Sequence, residues 1–385
     1  MTKTERMFDK DSFLSKFQAN VVSCEALCDG KYAVALDKTA FFPNEGGQAC
    51  DTGRISDARV LSVDEKEGII THVTDSSIEI GSSVACEIDF PERYRKMQDH
   101  SAEHIVSGLI HKHFGFENVG FHLGDGYMTA DFDGELSEEN VTFIETLANE
   151  AVYACRSVRA YYPDENELKS LEYRSKLELT ENVRIVEIDG IDLCACCAPH
   201  VRNTGEIGLI KIVEAIRYKG GMRLTMLAGR DALEDYRRRQ DQIRRVSMAI
   251  SAKQSEIADG VDRLLCDFGV LKGKLSEIRR EMMQMKLDAL ENSSESIILF
   301  EDSDDMHASR DFVNGAVEKT EKLCALFSGD DERGYKYIIA SENIPLRALS
   351  RKISETLGGK GGGSDLMIQG STTAKRTEIE DFFKF

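Results

Sequence analysis

The sequence predicts a multidomain α+β protein: a small N-terminal β-barrel, an α+β core with a metal site, a helical-hairpin linker and a small C-terminal α/β domain. Three observations lead there. Apolar runs of strand length, punctuated by glycines, fill residues 1–90. From Pro91 the pattern mixes helical and strand periodicity around a set of histidines and cysteines. Residues 231–290 then contain no proline and carry an intermittent apolar stripe of helical spacing. At 385 residues the chain is long enough for two or three domains with ordinary packed cores.

Taken in order, Val21 to Cys24, Tyr32 to Leu36, Val60 to Val63, Ile69 to Val73 and Val84 to Ile88 read as short strands of the barrel. The core is expected over 91–230. Its first helix, Asp99 to Phe114, is apolar at Ile105, Val106, Leu109 and Ile110, and a strand follows near Met128 to Phe132. Ser137 caps a second helix with an apolar stripe through Phe143, Ile144, Leu147, Ala151 and Val152. Strands recur at Ser157 to Tyr162, Val183 to Ile188, Ile207 to Val213 and Met222 to Leu227. Residues 231–292 form the linker, a helical hairpin whose break is expected at Gly269 and Gly273, with the arms packed antiparallel. Residues 293–385 alternate apolar strands with helical stretches and form the α/β domain.

Within the core, His100 and His104 lie four residues apart on the first helix, so both imidazoles can face one ion. Cys196 and His200 add a thiol and a third imidazole at the same interval, before a turn at Asn203, Thr204 and Gly205. Three nitrogens and one sulfur are a donor set that Zn²⁺ prefers. The alternative is ordinary: histidines with hydrogen-bond partners, and one buried cysteine among ten.

Composition narrows the class. No apolar run reaches the eighteen or so residues of a membrane span, and the charged N-terminus lacks a signal-peptide core, so the expected location is cytoplasmic. Scattered cysteines fit reduced thiols plus a metal site better than a disulfide framework. A net charge of −19 argues against a general nucleic-acid binder, although seven basic residues stand against four acidic ones between Arg230 and Lys253.

Four stretches stand in order along the chain. Leu36-Asp37-Lys38-Thr39-Ala40-Phe41-Phe42-Pro43-Asn44-Glu45-Gly46-Gly47-Gln48 with Asp51-Thr52-Gly53 comes first, then His100-Ser101-Ala102-Glu103-His104. Cys196-x-x-x-His200-Val201 and Thr204-Gly205-Glu206-Ile207-Gly208 follow. In this order they resemble one family, the editing part of alanyl-tRNA synthetase and its free-standing relatives, the AlaX proteins. Gly358-Gly359-Lys360-Gly361-Gly362-Gly363-Ser364-Asp365 resembles the glycine-rich end of the synthetase. The resemblance implies a long AlaX form without the class II aminoacylation domain, and therefore no capacity to charge tRNA. It implies hydrolysis of tRNA(Ala) mischarged with serine, and in some members glycine. One binding pocket cannot reject amino acids so close to alanine, which is why a second hydrolytic site is needed.

On that reading, His100, His104, Cys196 and His200 hold Zn²⁺. Gly46, Gly47 and Gln48 let backbone approach the aminoacyl end, against the alternative of a tight barrel turn. His122 either senses the serine hydroxyl or is a packed core histidine. Glu103, between the two helical histidines, is a candidate general base with an outward-facing position as the alternative; no catalytic residue is otherwise identified. Arg223, Arg230 and Lys360 are candidate tRNA contacts, and the linker helices or the C-terminal domain can pair with a second copy. The family's usual Cys-Gly-Gly-Thr-His is replaced here by Cys196-Cys197-Ala198-Pro199-His200. Proline removes a backbone N–H and a threonine hydroxyl, which motivates the rival reading of a tRNA-binding or scaffold protein with a decayed editing site.

Overall fold

Alternation of apolar and polar residues dictates the first element built. Ser83–Ile88 and Ile69–Thr74 bury every second side chain, as strands with one solvated face must. In a computed structural model that describes residues 3–124, 126–175, 183–302 and 305–384, these strands belong to a closed six-stranded barrel. Its order is Lys16–Ala26, Tyr32–Leu36, Ile69–Thr74, Ala58–Lys66, Gly53–Ile55, Ser83–Ile88, and back to the first. Phe17, Val34, Leu36, Phe41, Ile55, Val63 and Ile70 fill its interior.

Helix α1 (Phe90–Phe114) leaves the barrel directly. It starts earlier than the expected Asp99, because Pro91 sits in the first turn, where its missing N–H costs nothing. Gly115 ends it in the left-handed conformation, its N–H bonded to the His111 carbonyl at 2.8 Å. The middle of α1 is buried, and α2 (Glu138–Tyr153) packs against it. A four-stranded antiparallel sheet runs Ile210–Tyr218, Gly221–Ala228, Met128–Phe132, Asn118–Leu123. A second sheet, Val158–Tyr161, Ile185–Ile188, Asp192–Ala195, brings its last strand against α1. The short α3 (Glu165–Ser170) lies between the first two of these strands in the sequence.

The chain divides into two compact units, 1–242 and 243–385, with the boundary inside α4 (Gly229–Ala249). The expected hairpin break is displaced. Helix α5 (Ile257–Ala289) runs straight through Gly269 and Gly273. Two glycines cost a helix about 2 kcal/mol in total, which thirty-three residues of continuous helix absorb. The interruption falls instead at Ser251, which adopts a positive φ of 51°.

The second unit holds a five-stranded sheet ordered Ile297–Glu301, Cys324–Asp330, Gly334–Ala340, Met367–Thr372, Lys360–Gly363. Period-two alternation gives it two apolar faces. Cys324, Leu326, Ile338 and Ala340 pack with α6 (Met306–Val317), while Ala325, Phe327, Tyr337 and Ile339 pack with α7 (Leu346–Thr356) and α8 (Arg376–Phe382). The glycine run Lys360–Gly363 is the edge strand of this sheet. A Cβ at Gly363 would stand 2.2 Å from the Met367 carbonyl oxygen, so only glycine lets that strand pair.

Candidate metal centre

Four donors meet where α1 faces the end of the strand Asp192–Ala195. Cys196 Sγ lies 3.6 Å from His100 Nε2 and 3.4 Å from His200 Nε2. The imidazole centroids of His100, His104 and His200 are 4.7–5.4 Å apart. The ligating atoms of all four residues fall within 4.8 Å of one another. Tetrahedral bonds of 2.0–2.1 Å to nitrogen and 2.3 Å to sulfur would separate N from S by about 3.6 Å. The donor spacing therefore fits one small tetrahedral cation.

Each imidazole is oriented through its other nitrogen. His100 Nδ1 lies 3.0 Å from Gln48 Oε1, His104 Nδ1 2.9 Å from Asp192 Oδ2, and His200 Nδ1 3.0 Å from Ser101 Oγ. Occupied Nδ1 atoms leave the Nε2 atoms as the candidate metal donors. None of these partners was identified from the sequence. Ser101 lies between the helical histidines and Gln48 within the glycine loop, but Asp192 carries no local signal. Asp192 is itself fixed, accepting from Arg174 Nε at 2.8 Å and Nη2 at 2.9 Å. Burial raises its pKa, yet the bonds from His104 and Arg174 outweigh that and hold its carboxyl below the usual range. His104, Asp192 and Cys194 form a second possible grouping, but it shares His104, and its carboxylate already holds Arg174.

The electrostatics also suit a cation. Burial, then the neighbouring His104 and His100, push His200 well below the ordinary histidine value, which keeps it neutral as a ligand must be. Burial and the adjacent Cys197 push the Cys196 thiol well above its ordinary value. A thiolate there becomes favourable only beside a positive charge.

The loop carrying Cys196 and His200 is tied from several directions. Arg184 Nη1 donates to the carbonyls of Cys196 and Ala198, both at 2.9 Å, and Ser12 Oγ donates to the His200 carbonyl at 2.8 Å. Ala198 is fully buried. The helix is anchored to the barrel by Arg93, whose guanidinium grips Asp51 and donates to the Ala40 carbonyl. Both members of that pair are buried, so removing either one would strand a charge.

A cavity of about 1000 Å³ opens beside the donors. That volume lies at the upper end of small-molecule sites. Gly46 and Gly47 line it with positive φ of 61° and 78°. A Cβ on Gly47 would lie 2.9 Å from the Phe121 carbonyl oxygen, so the close approach requires glycine. Gln48 is buried and serves His100. His122 is neither a cavity residue nor a core residue: its strand turns it to solvent. Its neighbour Phe121 faces the cavity, its ring 4.8 Å from that of His100. A one-residue shift in a strand reverses the face. Glu103 does not face outward; it is only 3% exposed and lines the cavity.

The expected tRNA contacts are distributed. Arg223 is paired with Asp131 at 2.6 Å and stacks over Tyr218, so its charge is already matched. Arg230 is exposed and paired with Glu234, and Lys360 is exposed at the start of the glycine edge strand.

A family model described as "Threonyl and Alanyl tRNA synthetase second additional domain" matches residues 183–264, which include Cys196 and His200. The alanyl-tRNA editing protein AlaX-L of Pyrococcus horikoshii is 27% identical, covering 98% of this chain and 96% of its own length. The alanyl-tRNA editing protein Aarsd1 of Rattus norvegicus is 25% identical, covering 96% and 95%. The chain belongs to the AlaX family. It is also similar to the alanine–tRNA ligase of Ignicoccus hospitalis, 31% identical over 74% of this chain, although it spans only 33% of that ligase. Within this AlaX chain, no helix among the described residues is long and apolar enough to cross a membrane.

Proposed function

We propose that this AlaX protein is a cytoplasmic trans-editing hydrolase that deacylates mischarged tRNA(Ala), chiefly seryl-tRNA(Ala) and also glycyl-tRNA(Ala). The observation that carries this is the convergence of His100, His104, Cys196 and His200 beside a cavity, in a chain matched nearly end to end by proteins named for alanyl-tRNA editing. The three-nitrogen, one-sulfur set supports Zn²⁺ as the resident ion. When bound, Zn²⁺ supplies Lewis-acid polarisation and a fixed point for an ester carbonyl. Gly46 and Gly47 give the aminoacyl end close backbone approach, and Phe121 walls the cavity. Lys360, Arg230 and the basic residues of α4 supply phosphate contacts.

A second copy of the chain is the proposed partner along α5. Leu264, Phe268, Leu271, Leu275, Ile278, Met282 and Met285 recur at alternating intervals of four and three, and all are exposed. Asp267, Lys274 and Glu281 flank one side of that seam and Lys272, Arg279 and Lys286 the other, so a parallel pair would match opposite charges at 267–272 and 281–286 and like charges at 274–279.

The rival reading is a tRNA-binding protein with a decayed site, motivated by Ala198 and Pro199. Against it stands the intact donor geometry. The deciding experiment is release of serine from seryl-tRNA(Ala) by purified protein of verified zinc content. Serine release lost together with zinc in His104→Ala is the expected result; tRNA affinity without turnover in the zinc-loaded wild type would favour the rival.

A further inference from the structure

Glu103 is a carboxylate 3% exposed that lines the cavity and is held by protein through one of its two oxygens. Both of its hydrogen bonds from protein go to one oxygen. Ser107 Oγ donates to Oε1 at 2.6 Å, and Asn118 Nδ2 donates to the same atom. Asn118 Nδ2 also reaches Ser107 Oγ at 3.0 Å, and its own Oδ1 accepts from the Gly120 N–H at 3.0 Å, so the three side chains lock one another. Among the described residues, these partners are neutral, and no lysine, arginine or histidine forms an ion pair with Glu103. The nearby Arg174 guanidinium hydrogen-bonds Asp192 and acts on Glu103 only through space. Glu103 nonetheless lines the cavity beside His100, His104 and Phe121. The second carboxylate oxygen receives no hydrogen bond from the described residues, and a cationic ligand group in the cavity would form a charge-assisted hydrogen bond with it.

We infer that Glu103 binds the α-ammonium of the aminoacyl ester, through the oxygen that Ser107 and Asn118 leave uncommitted. This rests on the proposed deacylase reading and deepens it. An ester carbonyl oriented toward the four donors carries its ammonium two bonds away, on the α-carbon. A single fixed carboxylate beside the donors would therefore set which face of the ester is presented. It would select free aminoacyl esters over N-blocked ones, whatever the side chain. Glu103 is then a substrate-binding residue, not the base that activates water.

The experiment compares seryl-tRNA(Ala), its N-acetylated form and its deaminated form, in which a hydroxyl replaces the amine, on wild type and Glu103→Gln. A charge-assisted hydrogen bond is worth about 10- to 100-fold in kcat/KM. Wild type is expected to prefer the free amine by that factor. In Glu103→Gln, turnover of the free amine falls about as much, while the two blocked esters change less than about threefold and zinc content is unaltered. Equal losses on all three esters would overturn the inference and make Glu103 a base or a scaffold. Wild type alone provides a second check should the variant misfold: equal rates on amine and hydroxyl esters would also overturn it. Failure of wild type to hydrolyse any ester would instead overturn the deacylase reading, and this inference with it.

Discussion

His104 Nδ1 and Asp192 Oδ2 stand 2.9 Å apart across eighty-eight residues of sequence, and Arg174 closes the other side of the same carboxylate. The carboxylate orients the imidazole, and Arg174 holds the carboxylate. Asp192→Asn keeps the shape but loses the charge. Metal affinity is expected to fall about 10- to 100-fold, the range for partners of ligating histidines. Competition with a chromophoric chelator measures it, and unchanged affinity would show that Asp192 does not tune the site.

Gly47→Ala tests the loop. The residue sits at φ 78°, and the added Cβ would press on the Phe121 carbonyl oxygen. A left-handed alanine with that contact is expected to cost about 1–3 kcal/mol. Thermal unfolding should register the loss, and deacylation should fall with it, because Gln48 next in sequence holds His100.

The barrel carries its own acid sensitivity. His72 is buried between Thr39 Oγ1 at 2.9 Å and the Val34 carbonyl at 3.1 Å, and burial pushes its pKa down to about 4. Above pH 6.5 both folded and unfolded chains hold it neutral, so the fold is unpenalised. As pH falls from 6.5 to about 4, the unfolded chain takes up the proton and the folded one does not, so stability drops by about 3 kcal/mol. His72→Gln is expected to flatten the fall in unfolding temperature across that window. An identical slope in both proteins would refute it.

The exposed seam of α5 predicts self-association. Leu271 is 64% exposed and Phe268 65% exposed, so lysine at either position leaves the monomer fold intact. Wild type should sediment as a dimer, and Leu271→Lys as a monomer of unchanged helicity. A monomeric wild type would remove the proposed interface.

Local chemistry made much of this protein legible. The barrel strands, α1 with its histidine pair and the capped start of α2 all follow from periodicity and short-range turn signals, because those forces act within a few residues. Ser137 illustrates this: its hydroxyl accepts from the Asn140 N–H, as an N-cap serine does. Gly269 and Gly273 misled for the complementary reason. Glycine is only a weak helix breaker, and the break occurs at Ser251, where no strong local signal stands.

By itself the sequence determined the donor types of the candidate centre, their four-residue spacings and the glycines that allow close approach, since composition and short-range geometry are written in order along the chain. Tertiary structure alone decided which side chains complete the centre. Gln48, Ser101 and Asp192 become partners of the three imidazoles only when the barrel loop, α1 and a distant strand meet. It also decided that Phe121 rather than His122 faces the cavity, and that Glu103 turns inward. Strand register and long-range packing set those directions, and neither leaves a periodic trace in one sequence.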